Sequence, residues 1–271
     1  MSGSAPVTIG GMARWIIALI IALISLLTYF GTTSENPITG EKQRVALRPE
    51  EEIALGLKSA PEMAAQMGGV SRNPQARALV ERVGAALVRD SIAAKSPYRF
   101  SFHVLADPKT INAFALPGGP DFITEGLLGR LKSEGELAGV LGHEIGHVIA
   151  RHASEHLAKA RLTQGLIGAA SVGTGDYSTA QIGQMVGSLI NMRYGREDEL
   201  ESDALGIRIM AEAGYDPRAL IGVMETLARA SSGSRQPEFF STHPHPENRQ
   251  TRIREQIAQR FPSGVPAGLK K

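Results

Sequence analysis

The chain begins with its most continuous apolar run. After Arg14, residues Trp15 to Phe30 contain no charge, and only Ser25 and Thr28 are mildly polar. At ~1.5 Å per residue, a helix over this run falls slightly short of a ~30 Å hydrocarbon core. Trp15 and Tyr29 stand at its two ends, as aromatics do at membrane interfaces. Residues 1–33 therefore read as a signal-anchor or signal segment. No small-x-small cleavage pattern follows Phe30, where the sequence runs Gly31, Thr32, Thr33, Ser34, and this favours an uncleaved anchor. Arg14 then stays inside, and residues 34–271 form one exported domain.

Residues 31 to 48 read as a polar linker. The pattern turns helical at Pro49, where Glu50, Glu51 and Glu52 crowd a first turn whose dipole favours acids. Asn73 and Pro74 start a second helix, with Ala78, Leu79, Val83, Ala86 and Leu87 at three-to-four spacing. Tyr98 to Leu105 alternates as a strand does. Ile111 to Leu116 is a second short apolar run, closed by Pro117, Gly118 and Gly119, and Asp121 to Thr124 is a third. Ser133 with Glu136 forms a capping box ahead of a helix carrying Leu137, Val140, Leu141, Ile145 and Val148. An Ala- and Gly-rich helical stretch follows. Within it Leu162 to Ile190 reads as core or a lid rather than a second span, because Gly173, Gly175 and Asp176 interrupt it. A further helix runs from Arg196 to Ala213. Asp216 and Pro217 open the next, and a Pro/His loop at Thr242 to Pro246 leads into a last amphipathic helix. The pattern predicts an α+β fold, mostly helical, with a small mixed or antiparallel sheet beside the capping-box helix.

Composition narrows the function classes. The 271 residues carry 29 basic and 27 acidic side chains, interleaved and without a long basic run, so nucleic acid is not an indicated partner. There is no cysteine, which removes disulfides, thiolate metal sites, a Cys nucleophile and a lipidated N-terminal Cys.

The chemistry lies in the capping-box helix, where His143-Glu144-Ile145-Gly146-His147 forms an H-E-x-x-H motif. Histidines four apart on a helix project about 40° from one another, so both imidazoles reach one metal ion. Zinc suits neutral imidazole, and a catalytic site takes three protein ligands with one position left for water. Glu144 is placed to take the proton of that water and return it to the leaving amine. A third ligand is still needed. The metzincin continuation requires Gly at 150 and His at 153, and Ala150 and Ala153 stand there instead. The segment Arg196 to Asp203 offers Glu197, Asp198, Glu199, Glu201 and Asp203. Glu199 and Asp203 share a face, with Glu201 about 200° away from Glu199, and spacing alone does not choose among them. His152 and His156 continue the motif helix but fall about 140° and 180° from His147, so packing or surface roles fit them better than ligation.

HEIGH followed by Glu199-Leu200-Glu201-Ser202-Asp203 as E-x-x-x-D resembles the gluzincin zinc metallopeptidases of the CAAX prenyl protease, HtpX and BepA type. Asn112-Ala113-Phe114-Ala115-Leu116-Pro117-Gly118, Thr242-His243-Pro244-His245-Pro246 and Arg249 extend the likeness over roughly residues 46 to 260. The resemblance implies one zinc ion per chain, with His143, His147 and Glu199 as ligands, Glu144 as general base and Asp203 behind a ligand. It places His243 near the metal, either steadying an oxyanion or capping the zinc. Arg249 is either a contact to the substrate carbonyl or the partner of an acid. Single-span architecture sets the chain with the small single-domain envelope members of the family.

The expected function is zinc-dependent cleavage of internal peptide bonds in unfolded or misassembled envelope proteins. The chain would be anchored in the inner membrane, with its catalytic domain on the extracytoplasmic side. Protein or peptide substrates and the membrane are the expected partners, with Ile111 to Leu116 as a possible edge for extended substrate. The alternative is a membrane-tethered chaperone or assembly factor that binds in the same cleft without obligatory cleavage. It would tolerate loss of Glu144.

Overall fold

The computed structural model describes residues 10–174, 193–231, 237–243 and 248–271. The N-terminal apolar run forms α1 (Gly11–Gly31), in which Ala18 is the one buried residue. Among the described residues α1 is the one helix long and apolar enough to cross a membrane. A hairpin replaces the expected polar linker: β1 (Thr33–Glu35) pairs antiparallel with β2 (Lys42–Arg44). Its buried side chains are polar for a reason. Asn36 donates to the carbonyl of Ile149 at 2.8 Å, and Gln43 donates to the carbonyl of Ala150. These carbonyls close the motif-bearing helix, where no intrahelical donor remains for them.

Helix α2 (Pro49–Gln66) starts with proline and three acids in its first turn, as its sequence predicts. Helix α3 (Pro74–Arg89) is capped by Asn73, which accepts from the N–H groups of Gln75 and Ala76 at 3.1 Å. The sheet is mixed. β5 (Pro120–Thr124) lies at its centre, parallel to β3 (Ser101–Leu105) and antiparallel to β4 (Ala113–Ala115), which is an edge. Gly118 turns β4 into β5 at φ 82°, and a Cβ there would meet the Ile53 backbone at 2.4 Å. A side chain is excluded both by conformation and by space. Alternation sends Val104 and Ile123 into the main core with α3, and Leu105 and Phe122 into a smaller cluster with Met63 and Ala64 of α2.

After a short α4 (Glu125–Leu128), α5 (Glu134–Ile149) is buried continuously from Gly135 onward. A helix covered on all sides lies at the centre of the domain, and it carries His143, Glu144 and His147 into the interior. Ser133 accepts from the Glu136 N–H at 3.1 Å, but Glu136 in turn accepts from Lys132 N–H at 2.8 Å, so the capping box is not reciprocal. The helix stops at Arg151, whose φ of 63° is left-handed. Glu52 and the Leu47 carbonyl hold the Arg151 guanidinium in that corner. From it the chain enters α6 (His152–Thr174). The C-terminal half of α6 runs along α1 rather than into the core, and residues 175–190 lie outside the described residues. Helix α7 (Arg196–Glu212) packs across α5, with the Gly142 and Gly206 backbones in contact. Then come α8 (Ala219–Ser231), the single turn α9 (Phe239–Thr242) and α10 (Arg249–Arg260). The fold is α+β and mostly helical, with the small sheet beside α5, as the residue pattern implies.

Candidate metal centre

Close packing of α5 on α7 sets the site. A Cβ at Gly146 would stand 2.7 Å from Ser202 Oγ, so the glycine of HEIGH is what lets α7 approach. Ser202 then donates to the His143 carbonyl at 2.6 Å. Across this seam the Nε2 atoms of His143 and His147 lie 3.1 Å apart. Glu199 brings its two oxygens to 3.6 Å from His143 Nε2 and 3.5 Å from His147 Nε2. His243, carried in by α9, adds a fourth group, and one ligand atom from each of the four lies within 4.8 Å of the others. All four are buried.

Each imidazole is held from behind. His143 Nδ1 meets Asp203 Oδ1 at 2.9 Å, and His147 Nδ1 meets His152 Nδ1 at 2.8 Å. His152 Nε2 is in turn 3.1 Å from Glu201 Oε2. With their Nδ1 atoms engaged, the two rings turn their Nε2 atoms toward each other and toward a carboxylate. A divalent cation resolves that arrangement, and N, N, O donors with orienting partners behind them suit zinc. Burial, with the adjacent His143, drives the His147 pKa well below its ordinary value and keeps the ring neutral, as a ligand must be. For Glu199 burial alone would raise the pKa, but His243 and Arg249 outweigh it and hold the carboxyl well below the usual range.

Arg249 is fully buried. It donates to Asp203 through Nε and Nη2, each at 2.8 Å, and its Nη1 is 2.9 Å from Glu199 Oε2. Of the two roles open to it, pairing with acids is the one the geometry displays. His243 Nδ1 is 3.0 Å from Glu199 Oε1, and its Nε2 is 3.6 Å from Glu144 Oε1. Burial opposes protonation of His243, yet the charges of Glu144 and Glu199 raise its pKa overall. Glu144 is fully buried with no hydrogen-bond partner on either carboxylate oxygen among the described residues, so its acceptors are unspent.

The sequence pattern of peptidase family M48 matches residues 74–257. The chain belongs to this family. Mitochondrial metalloendopeptidase OMA1 of Schizosaccharomyces pombe is 34% identical over 174 residues, covering 62% of this chain and 50% of that protein. The beta-barrel assembly-enhancing protease of Escherichia coli is 30% identical over 196 residues, 69% of this chain and 40% of its own length. Metalloprotease YcaL of Escherichia coli is 30% identical over 169 residues, covering 60% and 63%. The chain thus matches about half the length of these relatives. The gluzincin resemblance drawn from HEIGH and E-x-x-x-D is borne out as membership of M48.

Every site residue named from the sequence that is described here meets at this point: His143, Glu144, His147, Glu199, Asp203 and His243. His245, with Pro244 and Pro246, lies outside the described residues. Three M48-site neighbours escaped the sequence reading. Helical periodicity puts His152 on another face, but α5 does not continue, and the left-handed Arg151 swings it back onto His147. His156 contacts Asp198 at 2.8 Å, and Asp198 accepts from Gly195 N–H at 2.7 Å to close the first turn of α7. Tyr194 stacks on His147 with ring centroids 4.0 Å apart. A second histidine following H-E-x-x-H by five residues was the available signal for His152. Nothing in the pattern marks Tyr194.

Proposed function

We propose that this M48 chain is a zinc-dependent endopeptidase that hydrolyses internal peptide bonds of unfolded or misassembled envelope proteins. Residues 1–33 would anchor it in the inner membrane, and residues 34–271 would form the catalytic domain on the extracytoplasmic side. One zinc ion per chain is assigned to His143, His147 and Glu199, with Asp203 orienting His143. The observation that carries the reading is the convergence of the Nε2 atoms of His143 and His147 with one carboxylate beside Glu144, a buried carboxylate with free acceptors.

A zinc ion bound there would supply Lewis acidity toward the scissile carbonyl and lower the pKa of a bound water from 15.7 to about 7. The protein groups do the rest. The Glu144 carboxylate accepts a proton from the attacking water and later delivers it to the leaving nitrogen. His243, pressed between Glu144 and Glu199 and stacked on Phe239, is a rigid donor suited to developing negative charge. Arg249 and Asp203 keep the ligand carboxylate and the His143 ring in place. Extended substrate would add to the free edge of β4, which flanks a narrow cleft beside His147 lined by Ala115, Leu116, Pro117 and Tyr194.

The test is Glu144→Gln, which keeps the shape and removes the base. The variant should bind one equivalent of zinc and fail to cleave casein. Cleavage at the wild-type rate would remove Glu144 from the mechanism, and a chaperone that binds without cutting would keep full function in this variant.

A further inference from the structure

We infer that α6 is a second membrane element: its C-terminal half, from about Leu162 to Thr174, lies in the lipid bilayer alongside α1. The inference rests on reading α1 as a membrane anchor. Two contacts fix the relative depth of the helices. A Cβ at Gly165 would meet Ser25 Oγ at 2.1 Å, and one at Gly173 would meet the Trp15 ring at 2.8 Å. Ten residues up α1 correspond to eight residues down α6, so the pair is antiparallel and in contact over that whole length. Whatever depth Ser25 and Trp15 reach, Gly165 and Gly173 reach as well. From Leu162 to Thr174 the helix spans about 20 Å, most of a hydrocarbon core.

The residues of that half suit lipid. No charged side chain occurs between Arg161 and the end of the helix at Thr174. Gly165, Ala169 and Gly173 recur every fourth residue on the side turned to α1, the small-residue spacing by which helices pack within membranes. Leu166 and Ile167 stand 39% and 46% exposed, and Leu23, Ile24 and Leu27 of α1 are exposed as well. Three hydroxyls fold back onto their own helices: Ser25 donates to the Ile21 carbonyl at 2.8 Å, Thr163 to Lys159 at 3.0 Å and Thr174 to Ala170 at 3.0 Å. This is how polar side chains are satisfied where water is absent. The level at which the pair leaves the bilayer is marked as interfaces are. Arg44 covers the rings of Tyr29 and Phe30 at 5.3 and 5.0 Å, and Arg161 donates to the Ala46 carbonyl at 3.0 Å.

The consequence reaches the metal centre. The helix that enters the bilayer begins at His152, the residue against His147, ten residues before Leu162. Ten helical residues rise about 15 Å, which bounds the height of the site above the membrane surface. Substrate within reach is then chain that emerges from, or lies on, the bilayer.

Trp15 is the single tryptophan, which gives a direct test in the full-length protein reconstituted into phosphatidylcholine vesicles with brominated acyl chains. The wild type reports α1, Trp15→Phe/Leu166→Trp reports α6, and Trp15→Phe/Glu50→Trp reports the domain surface. The proposal expects quenching at positions 15 and 166 and none at position 50. Quenching at 15 but not at 166 overturns the proposal and leaves the anchor standing, whereas quenching at neither overturns both. Should the tryptophan variants misfold, Leu166→Cys in this cysteine-free chain should resist a membrane-impermeant maleimide until detergent is added. Labelling before detergent overturns the proposal.

Discussion

Arg249 offers a quantitative test of how the centre is held, through Arg249→Met, which keeps length and apolar volume while removing the charge. Its guanidinium is fully buried and serves two buried carboxylates, with three contacts of 2.8 to 2.9 Å to Asp203 and Glu199. Breaking a buried ion pair by deleting one partner costs about 3–5 kcal/mol, because the other charge is left uncompensated. For a domain of this size, about 2–4 °C of melting temperature accompanies each kcal/mol, so the metal-free variant should melt about 6–20 °C below the wild type. Zinc brings its own positive charge to Glu199. The deficit should therefore shrink when metal is added, and the zinc-induced rise in melting temperature should be larger in Arg249→Met than in the wild type. Differential scanning calorimetry with and without zinc reads both quantities. A metal-free variant that melts within about 2 °C of the wild type, under 1 kcal/mol, would refute the reasoning. A loss confined to kcat/KM would return Arg249 to the role of substrate contact.

Gly146→Ala would set a methyl 2.7 Å from Ser202 Oγ and 2.9 Å from the Ser202 carbonyl oxygen. Pushing α7 off α5 should cost about 1–3 kcal/mol and weaken zinc binding in a chelator competition, since Glu199 travels with α7. Unchanged zinc affinity would mean that the α5–α7 seam does not set the ligand spacing. His152→Ala removes the contact behind His147 and should lower zinc affinity about 10–100-fold with the fold intact by circular dichroism. An affinity equal to wild type would demote His152 to packing. Glu134 tests pH linkage away from the metal. Arg82 forks onto it with two 2.8 Å contacts and, with Tyr215 assisting against partial burial, lowers its pKa from 4.5 to about 2. A depressed carboxylate pKa adds stability that is present above about 4.5 and is lost as pH falls toward 2. Because the pair is largely exposed, the contribution is about 1 kcal/mol or less. Glu134→Gln should therefore be less stable than the wild type at neutral pH in urea titrations, with the gap closing near pH 2. A gap independent of pH would assign the effect to packing.

Most of the helical frame was legible because its signals are local. Asn73-Pro74, Ser133 and Asp216-Pro217 mark helix starts by capping chemistry, and H-E-x-x-H places two ligands on one face of a helix with no tertiary knowledge. What escaped depended on contacts distant in sequence. The β1–β2 hairpin has three-residue strands, and the residues it buries, Asn36 and Gln43, are polar because they cap α5 more than 100 residues away. Hydrophobic alternation is blind to such a pair. An unbroken helix would turn His152 away from His147, yet the break comes at Arg151, an ordinary residue held in the left-handed region by Glu52 and Leu47. Helical spacing turns Glu201 away from Glu199, and it reaches the site through His152, which α6 returns to it. Leu162 to Ile190 reads as core or lid by composition; its described part, to Thr174, lies along α1 and outside the main core, a pairing no local pattern predicts.

The central claim is that His143, His147 and Glu199 close on one ion while Glu144 stays free beside it. A crystal structure of the zinc-loaded protein with anomalous scattering collected at the zinc edge tests it most directly. The account predicts one anomalous peak, about 2.0–2.2 Å from His143 Nε2, His147 Nε2 and a Glu199 oxygen, with Glu144 outside bonding distance. A peak bound without Glu199, with that carboxylate still on Arg249, would contradict it.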